Sequence, residues 1–289
     1  MTTYRESSLA GRRGALHLHR WSPPGRPSSV MLLLHGLGEH AGQYAPLGEA
    51  AAAAGIETWA PDQAGHGRSD GVRVLVESVD DLVADAETVL GEARRTRPGV
   101  PLVVVGHSLG STVAALLLGE LRPDSEGDPA GGVAGLVLAG SSLRGPGFVL
   151  PPGVDPWELR KDPSELVRDP EQAERVRADP LVWDGGLRRE TFTALSAARA
   201  RTTRVVDSGA LDHLPVLVLH GADDDLAPAA DAVALAELLP RGRAVVYPQD
   251  RHNVLHELDR HAVHAELLHF VISLGHPDAI TTPIGEATR

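Results

Sequence analysis

Leu102-Val103-Val104-Val105-Gly106-His107-Ser108-Leu109-Gly110-Ser111-Thr112-Val113-Ala114-Ala115-Leu116-Leu117-Leu118 is the stretch from which the architecture can be read. It opens on an apolar, Val-rich run without alternation, the pattern of a parallel strand buried on both faces. It closes on a nearly all-apolar segment, which predicts a buried helix over 112–121. Between them lies G-x-S-x-G in a strand–turn–helix setting. A turn this sharp forces its central residue into strained backbone, and the flanking glycines remove side chains that would collide with neighbouring chain. Ser108 Oγ is thereby lifted above the C-terminal edge of a sheet, at a helix N-terminus whose dipole and N–H groups favour negative charge. A turn without chemistry could use the same pentapeptide, but the context makes Ser108 a candidate nucleophile.

Working outward, further short apolar runs predict strands over 15–21, 30–35, 57–60, 133–139, 216–220 and 244–247. Helical periodicity marks 44–54, 79–95, 231–239 and 259–274. In the segment 79–95, Leu82, Val83, Ala86, Val89 and Leu90 share one face. Strand–helix alternation of this kind predicts an α/β architecture, an open and mostly parallel sheet with helices on both faces. The rhythm breaks after residue 141. The stretch up to His213 holds Pro146, Pro151, Pro152, Pro156, Pro163, Pro170 and Pro180, and no Val/Leu run. Short helices over 163–167 and 171–178 fit there, with scattered apolar residues at Phe148, Val149, Leu150, Trp157 and Trp183. The expected organisation is a core over 1–141, an insertion lying over the sheet at 142–212, and the rest of the core over 213–289. The last fifteen residues read as a frayed tail.

The 289 residues carry 39 acidic and 27 basic side chains, a formal charge of −12. A chain so charged has no evident reason to seek nucleic acid or an anionic bilayer. There are no cysteines, which excludes disulfides, thiolate catalysis and every cysteine-ligated metal. No apolar run approaches the roughly 18–20 residues of a membrane span. The polar N-terminal stretch lacks the apolar segment of a secretory signal. A soluble, cytoplasmic protein with no integral membrane segment is the expectation, and the sequence is silent on oligomeric state.

A serine hydroxyl needs a base. The strand ending at His220 runs into Gly221-Ala222-Asp223-Asp224-Asp225, and the strand ending at Tyr247 is followed by Arg251-His252-Asn253. Both loops should lie at the same sheet edge as Ser108. Spacing leaves the three aspartates open; Asp223 and Asp225 also suit a solvated turn or a helix cap. His256, His261, His264 and His269 fall in or beside the last helix and are expected at the surface, whereas His252 is in the loop. The two N–H groups of an oxyanion hole fit Leu109, after the nucleophile, and Leu37, in the loop His35-Gly36-Leu37-Gly38.

These residues resemble the α/β-hydrolase superfamily, and more closely its monoacylglycerol lipase-like, serine aminopeptidase S33-type branch. The similarity rests on His35-Gly36-Leu37-Gly38-Glu39-His40 with Tyr44, the segment Asp62 to Ser69, the Ser108 pentapeptide, Asp179-Pro180-Leu181-Val182, Gly221-x-x-Asp224 and His252-x-x-Leu255-His256-Glu257. The resemblance implies an α/β-hydrolase fold with an inserted helical cap over an acyl pocket. It implies a triad of Ser108, Asp224 and His252, with Leu37 as the first oxyanion donor. Gly36, Glu39, His107 and His256 become candidate substrate contacts. The implied activity is that of a serine carboxylic-ester hydrolase acting on small-molecule acyl esters through an acyl-enzyme, with no cofactor and no metal. Acyl transfer, lactone opening and amide hydrolysis share that intermediate. The chain departs from the family at Gln43, where Arg is common, at Ser111, where Gly is usual, and at Asn253, an inserted residue.

Three rival readings are weaker. Gly36-Leu37-Gly38-Glu39-His40-Ala41 fits the G-x-G-x-x-A of an NAD-dependent oxidoreductase, with Asp62 near the place of a ribose-binding acid. That reading makes the Ser108 pentapeptide, Asp224 and His252 coincidences. His256-Glu257-Leu258-Asp259-Arg260-His261 is one residue too long for the zinc-protease helix motif. A non-catalytic binding protein would have no use for three competent triad residues.

Overall fold

The computed structural model describes residues 1–120, 132–141, 143–145 and 149–275. Eight strands form one sheet: β1 (Thr3–Gly11), β2 (Gly14–Ser22), β3 (Ser29–Leu34), β4 (Ile56–Pro61), β5 (Leu102–His107), β6 (Val133–Ala139), β7 (Val216–Gly221) and β8 (Gly242–Tyr247). Their order across the sheet is β1-β2-β4-β3-β5-β6-β7-β8. β1 pairs antiparallel with β2, and β2 with β4; all pairs from β4 to β8 are parallel. Every residue of β3, β4, β5 and β7 is buried. This is the α/β-hydrolase architecture expected from the sequence.

Helices α1 (Ala45–Ala53), α2 (Val79–Thr96), α3 (Leu109–Glu120), α7 (Ala229–Leu238) and α8 (Arg260–Gly275) cover the sheet. One hydrophobic cluster joins α2, α3 and α7 to one face, through Leu82, Val89, Val113, Leu116 and Leu235. The other joins α1 and α8, through Leu47, Ala51, Val263, Leu267 and Val271. Local signals set the ends of α2: Ser78 Oγ accepts from Asp80 N at 3.1 Å, Asp80 and Asp81 occupy the first turn, and Arg94 and Arg95 the last.

Between β6 and β7 lie α4 (Pro163–Leu166), α5 (Pro170–Ala178) and α6 (Arg189–Asp207). The short helices α4 and α5 match the sequence expectation, each opened by an aspartate cap, Asp162 or Asp169, and a proline. The sequence reading lacked α6. Its buried residues are Thr191, Ala194, Ala198, Thr202, Val205 and Val206, so its inward stripe is built mostly of small and hydroxylated side chains that register weakly as apolar. It also lacked β1, an edge strand with one neighbour and an almost fully exposed pattern. Ser142, Pro146 and Phe148 of the expected insertion lie outside the described residues. Of the expected tail, Gly275 closes α8 and the remainder lies outside them as well. Among the described residues, no helix is long and apolar enough to cross a membrane.

One buried charge is held at the rim of this core. Glu57 on β4 is fully buried and accepts hydrogen bonds from Trp59 Nε1 at 2.8 Å and from Arg97 Nη2 at 2.7 Å. Burial alone would raise its pKa, but Arg97 and Trp59 outweigh that and hold it low. Removing Arg97 strands a desolvated carboxylate, and because the guanidinium is 30% exposed the loss falls at the low end for a broken buried pair. Arg97→Ala should therefore cost about 3 kcal/mol in urea denaturation at pH 7, with the difference shrinking at acid pH as Glu57 protonates.

Candidate active site

The turn between β5 and α3 carries Ser108 at φ +49°, left-handed backbone that a non-glycine residue enters only where its surroundings impose it. Two close approaches impose it. A Cβ on Gly110 would stand 1.9 Å from Leu34 O on β3, and one on Gly106 would stand 2.4 Å from Gly110 O. Ser108 N donates to Ala139 O at 2.9 Å, pinning the turn to the end of β6.

The loops after β7 and β8 meet at this point. His252 Nε2 lies 2.9 Å from Ser108 Oγ, and His252 Nδ1 lies 2.9 Å from Asp224 Oδ2. Asp224 as the acceptor places the ring proton on Nδ1 and turns the Nε2 lone pair toward the serine hydroxyl. Asp224 Oδ1 accepts from Leu226 N and Ala227 N, at 2.9 and 3.0 Å. Burial pushes the Asp224 pKa up, but the hydrogen bonds from His220 and His252 prevail and hold it well below the carboxylate range. Asp224 points inward, while Asp223 and Asp225 are exposed. Asp225 forms an ion pair with Lys161 at 2.5 Å.

Sequence reasoning missed His220. It is fully buried, its Nε2 donates to Ala227 O at 2.7 Å, and the same nitrogen stands 3.1 Å from Asp224 Oδ2. Its place in the chain, the last position before Gly221 and four before Asp224, was the available signal.

Leu109 opens α3, so its N–H lies outside the helical ladder and at the turn. Leu37 sits in the loop after β3, whose Gly36 N is taken by Glu39 Oε2 at 2.8 Å. Glu39 also accepts from Tyr44 Oη at 2.6 Å and pairs with His107 Nδ1 at 3.2 Å. The other ring nitrogen, His107 Nε2, lies 3.3 Å from His252 O. Gly36, Glu39 and His107 thus form a chain from the loop after β3 to the His252 backbone. Burial opposes charge on both partners, yet their mutual attraction lowers the Glu39 pKa well below its usual value and raises that of His107.

His256 and His264 are buried, against the surface expectation; His261 and His269 are exposed, in line with it. The turn Val254–His256 folds back under α8, where His264 Nε2 donates to Leu255 O at 2.9 Å. The His256 ring packs 4.6 Å from that of Tyr44, and burial pushes its pKa down to about 4. With Gln43, Tyr44, Leu47, Arg175 and Arg260, His256 lines a cavity of about 400 Å³ beneath α5.

The β6–β7 insertion grips both loops of the site. Trp183 N donates to Gly38 O at 2.9 Å, and His40 Nε2 meets Asp179 Oδ2 at 2.8 Å. Asn253 N donates to Leu166 O at 3.0 Å. Arg168 reaches Glu257 Oε2 at 3.2 Å and Asp259 Oδ1 at 2.8 Å, and also bonds Asp250.

The fold and this site define an α/β-hydrolase. The chain belongs to the family described as serine aminopeptidase, S33, which it matches over residues 25–259. It is 31% identical to the monoacylglycerol lipase of Mycolicibacterium smegmatis over 94% of this chain and 98% of that protein. It is 28% identical to the monoglyceride lipase of Homo sapiens, over 89% of this chain and 82% of the relative. Among solved structures it resembles a soluble variant of monoglyceride lipase from Saccharomyces cerevisiae, with a TM-score of 0.77, 17% identity and coverage of 95% and 96%.

The acidic pocket around Arg168 gives a pH signature. Burial first, then the adjoining carboxylates of Asp259 and Glu257, push Asp250 up to about 7. From about pH 4 to pH 7 the unfolded chain gives up this proton while the fold keeps it, so the group's contribution to stability falls through that window. Asp250→Asn cannot ionise. Its melting temperature relative to wild type should rise from pH 5 to pH 8, and a constant difference would show that Asp250 titrates normally.

Proposed function

We propose that this chain hydrolyses monoacylglycerol-like and other small to medium acyl esters through an acyl-enzyme on Ser108. Its class is that of a serine ester hydrolase of the monoacylglycerol lipase type. The observation that carries the residue assignment is the unbroken chain Ser108 Oγ–His252–Asp224, with 2.9 Å at each link.

In this reading His252 Nε2 takes the Ser108 proton as Oγ attacks the ester carbonyl. Asp224 keeps the ring in the Nδ1–H tautomer and stabilises the imidazolium. The N–H groups of Leu37 and Leu109 bind the tetrahedral oxyanion. His252 then protonates the leaving alcohol, and later activates water against the acyl-enzyme. The insertion, about residues 142–212, serves as a cap over the acyl pocket. Its backbone bonds to Gly38 and Asn253 support a role in setting the pocket's shape.

A chain-length series of p-nitrophenyl esters and monoacylglycerols tests this. Ser108→Ala should lose turnover by a factor on the order of 10⁴–10⁶ while keeping its fold. Asp224→Asn should lose on the order of 10³–10⁴, with Asp223→Asn and Asp225→Asn near wild type. Retained ester turnover in Ser108→Ala refutes the mechanism, and equal losses at all three aspartates refute the choice of acid. Turnover of amides or lactones by a wild type inert toward esters would keep the triad and reject the substrate class.

A further inference from the structure

One face of the β1–β2 hairpin carries a cluster that ester hydrolysis leaves without a task. His17 and His19 are two apart on β2, so both project to one side of the strand. Glu6 on β1 stands opposite His19 in the register. The two rings meet edge to face, with centroids 4.8 Å apart. One donor atom from each of Glu6, His17 and His19 lies within 4.8 Å of the other two, and no other such trio occurs among the described residues.

Hydrogen bonding around the cluster assigns the protons. Tyr4 donates its hydroxyl proton to Glu6 Oε1 at 2.6 Å, so its oxygen accepts from His19 Nδ1 at 2.7 Å. The lone pair of His19 is then on Nε2. That atom is buried, in a residue only 4% exposed, and makes no hydrogen bond. It stands 3.4 Å from Asp62 Oδ1, an oxygen of a fully buried carboxylate that also accepts from Ala41 N at 2.8 Å. Two lone pairs facing one another away from water repel unless positive charge lies close by. The Nε2 of His17 is likewise buried without a hydrogen bond, 3.7 Å from Glu6 Oε2. Arg68 Nη1 bonds the other oxygen, Oε1, at 3.0 Å.

We propose that Glu6, His17 and His19 bind a divalent transition-metal ion of the zinc class, at a site separate from Ser108. Two imidazoles and one carboxylate suit zinc, whereas magnesium and calcium take oxygen ligands. Tetrahedral bonds of about 2.0–2.2 Å set donors roughly 3.3 Å apart, and rotation of the Glu6 and His17 side chains closes the gap. Glu6, with its side chain 38% exposed, leaves a path for the ion and a water ligand. Tyr4 acts in the outer sphere, fixing the His19 tautomer and holding Glu6 in place. The ion would tie β1, an edge strand with one neighbour, to β2.

The test uses the full chain, stripped with a chelator and titrated with Zn²⁺, and separately with Co²⁺. Wild type should bind one Zn²⁺ with a rise in melting temperature of about 5 °C or more at roughly hundredfold excess over Kd. Co²⁺ should give the visible absorption of a four-coordinate site, and Mg²⁺ should do nothing. His17→Gln and Glu6→Gln, checked for fold by circular dichroism, should each weaken Zn²⁺ binding at least tenfold and leave ester turnover unchanged. Unaltered Zn²⁺ affinity in both variants would place the ion on other histidines and overturn the site. No binding by wild type, with a second proton on His19 answering Asp62 instead, would overturn it too.

Discussion

Everything at the C-terminal edge of the sheet depends on how closely the chain passes itself between β5 and α3. Ser108 is held at φ +49° because β3, β5 and α3 converge where only hydrogen fits on Gly106 and Gly110. Such a conformation costs on the order of 1–3 kcal/mol and persists only where the surroundings over-determine it. Here the surroundings are buried strands and a mostly apolar, buried helix, so the rigid core sustains the strain at the serine. Relaxing the turn would carry Ser108 Oγ away from His252 and draw α3 off the sheet.

Parallel pairing supplies the second constraint. Because β3, β5, β7 and β8 run the same way, their following loops all emerge at one edge, where residues 108, 224 and 252 meet. Their alignment is tuned by buried polar partners. Asp224 is pinned by two backbone N–H groups and faced by His220, and the Gly36 loop is joined to the His252 backbone through Glu39 and His107.

The insertion adds a third layer by hydrogen-bonding to the loops themselves. Gly38 and Asn253 are each held by its backbone, and Arg168 bonds three carboxylates around the turn after His252. Glu257, one of them, is fully buried, and removing Arg168 would leave it without this cation. Any shift of the insertion is therefore felt by the loops carrying Leu37 and His252.

Apolar runs and glycine spacing determined strands β2 to β8, the main helices, the Ser108 turn and the loops that hold the candidate acid and base, because burial and a steric bottleneck leave direct marks on residue type. β1 and α6 left no such mark: one has a single neighbour and faces water, and the other buries small and hydroxylated side chains. The run Asp223-Asp224-Asp225 shows the limit most clearly. Local spacing could not choose among three identical carboxylates, and family resemblance pointed to Asp224. The fold buries that one against His252 and His220 and leaves the other two in solvent. The burial of His256 and His264, the reach of Arg168 and the meeting of Glu6 with His17 and His19 were likewise decided by tertiary structure alone. A side chain's partners across the chain depend on how sheets and loops pack, and composition at one position carries no record of what will stand opposite.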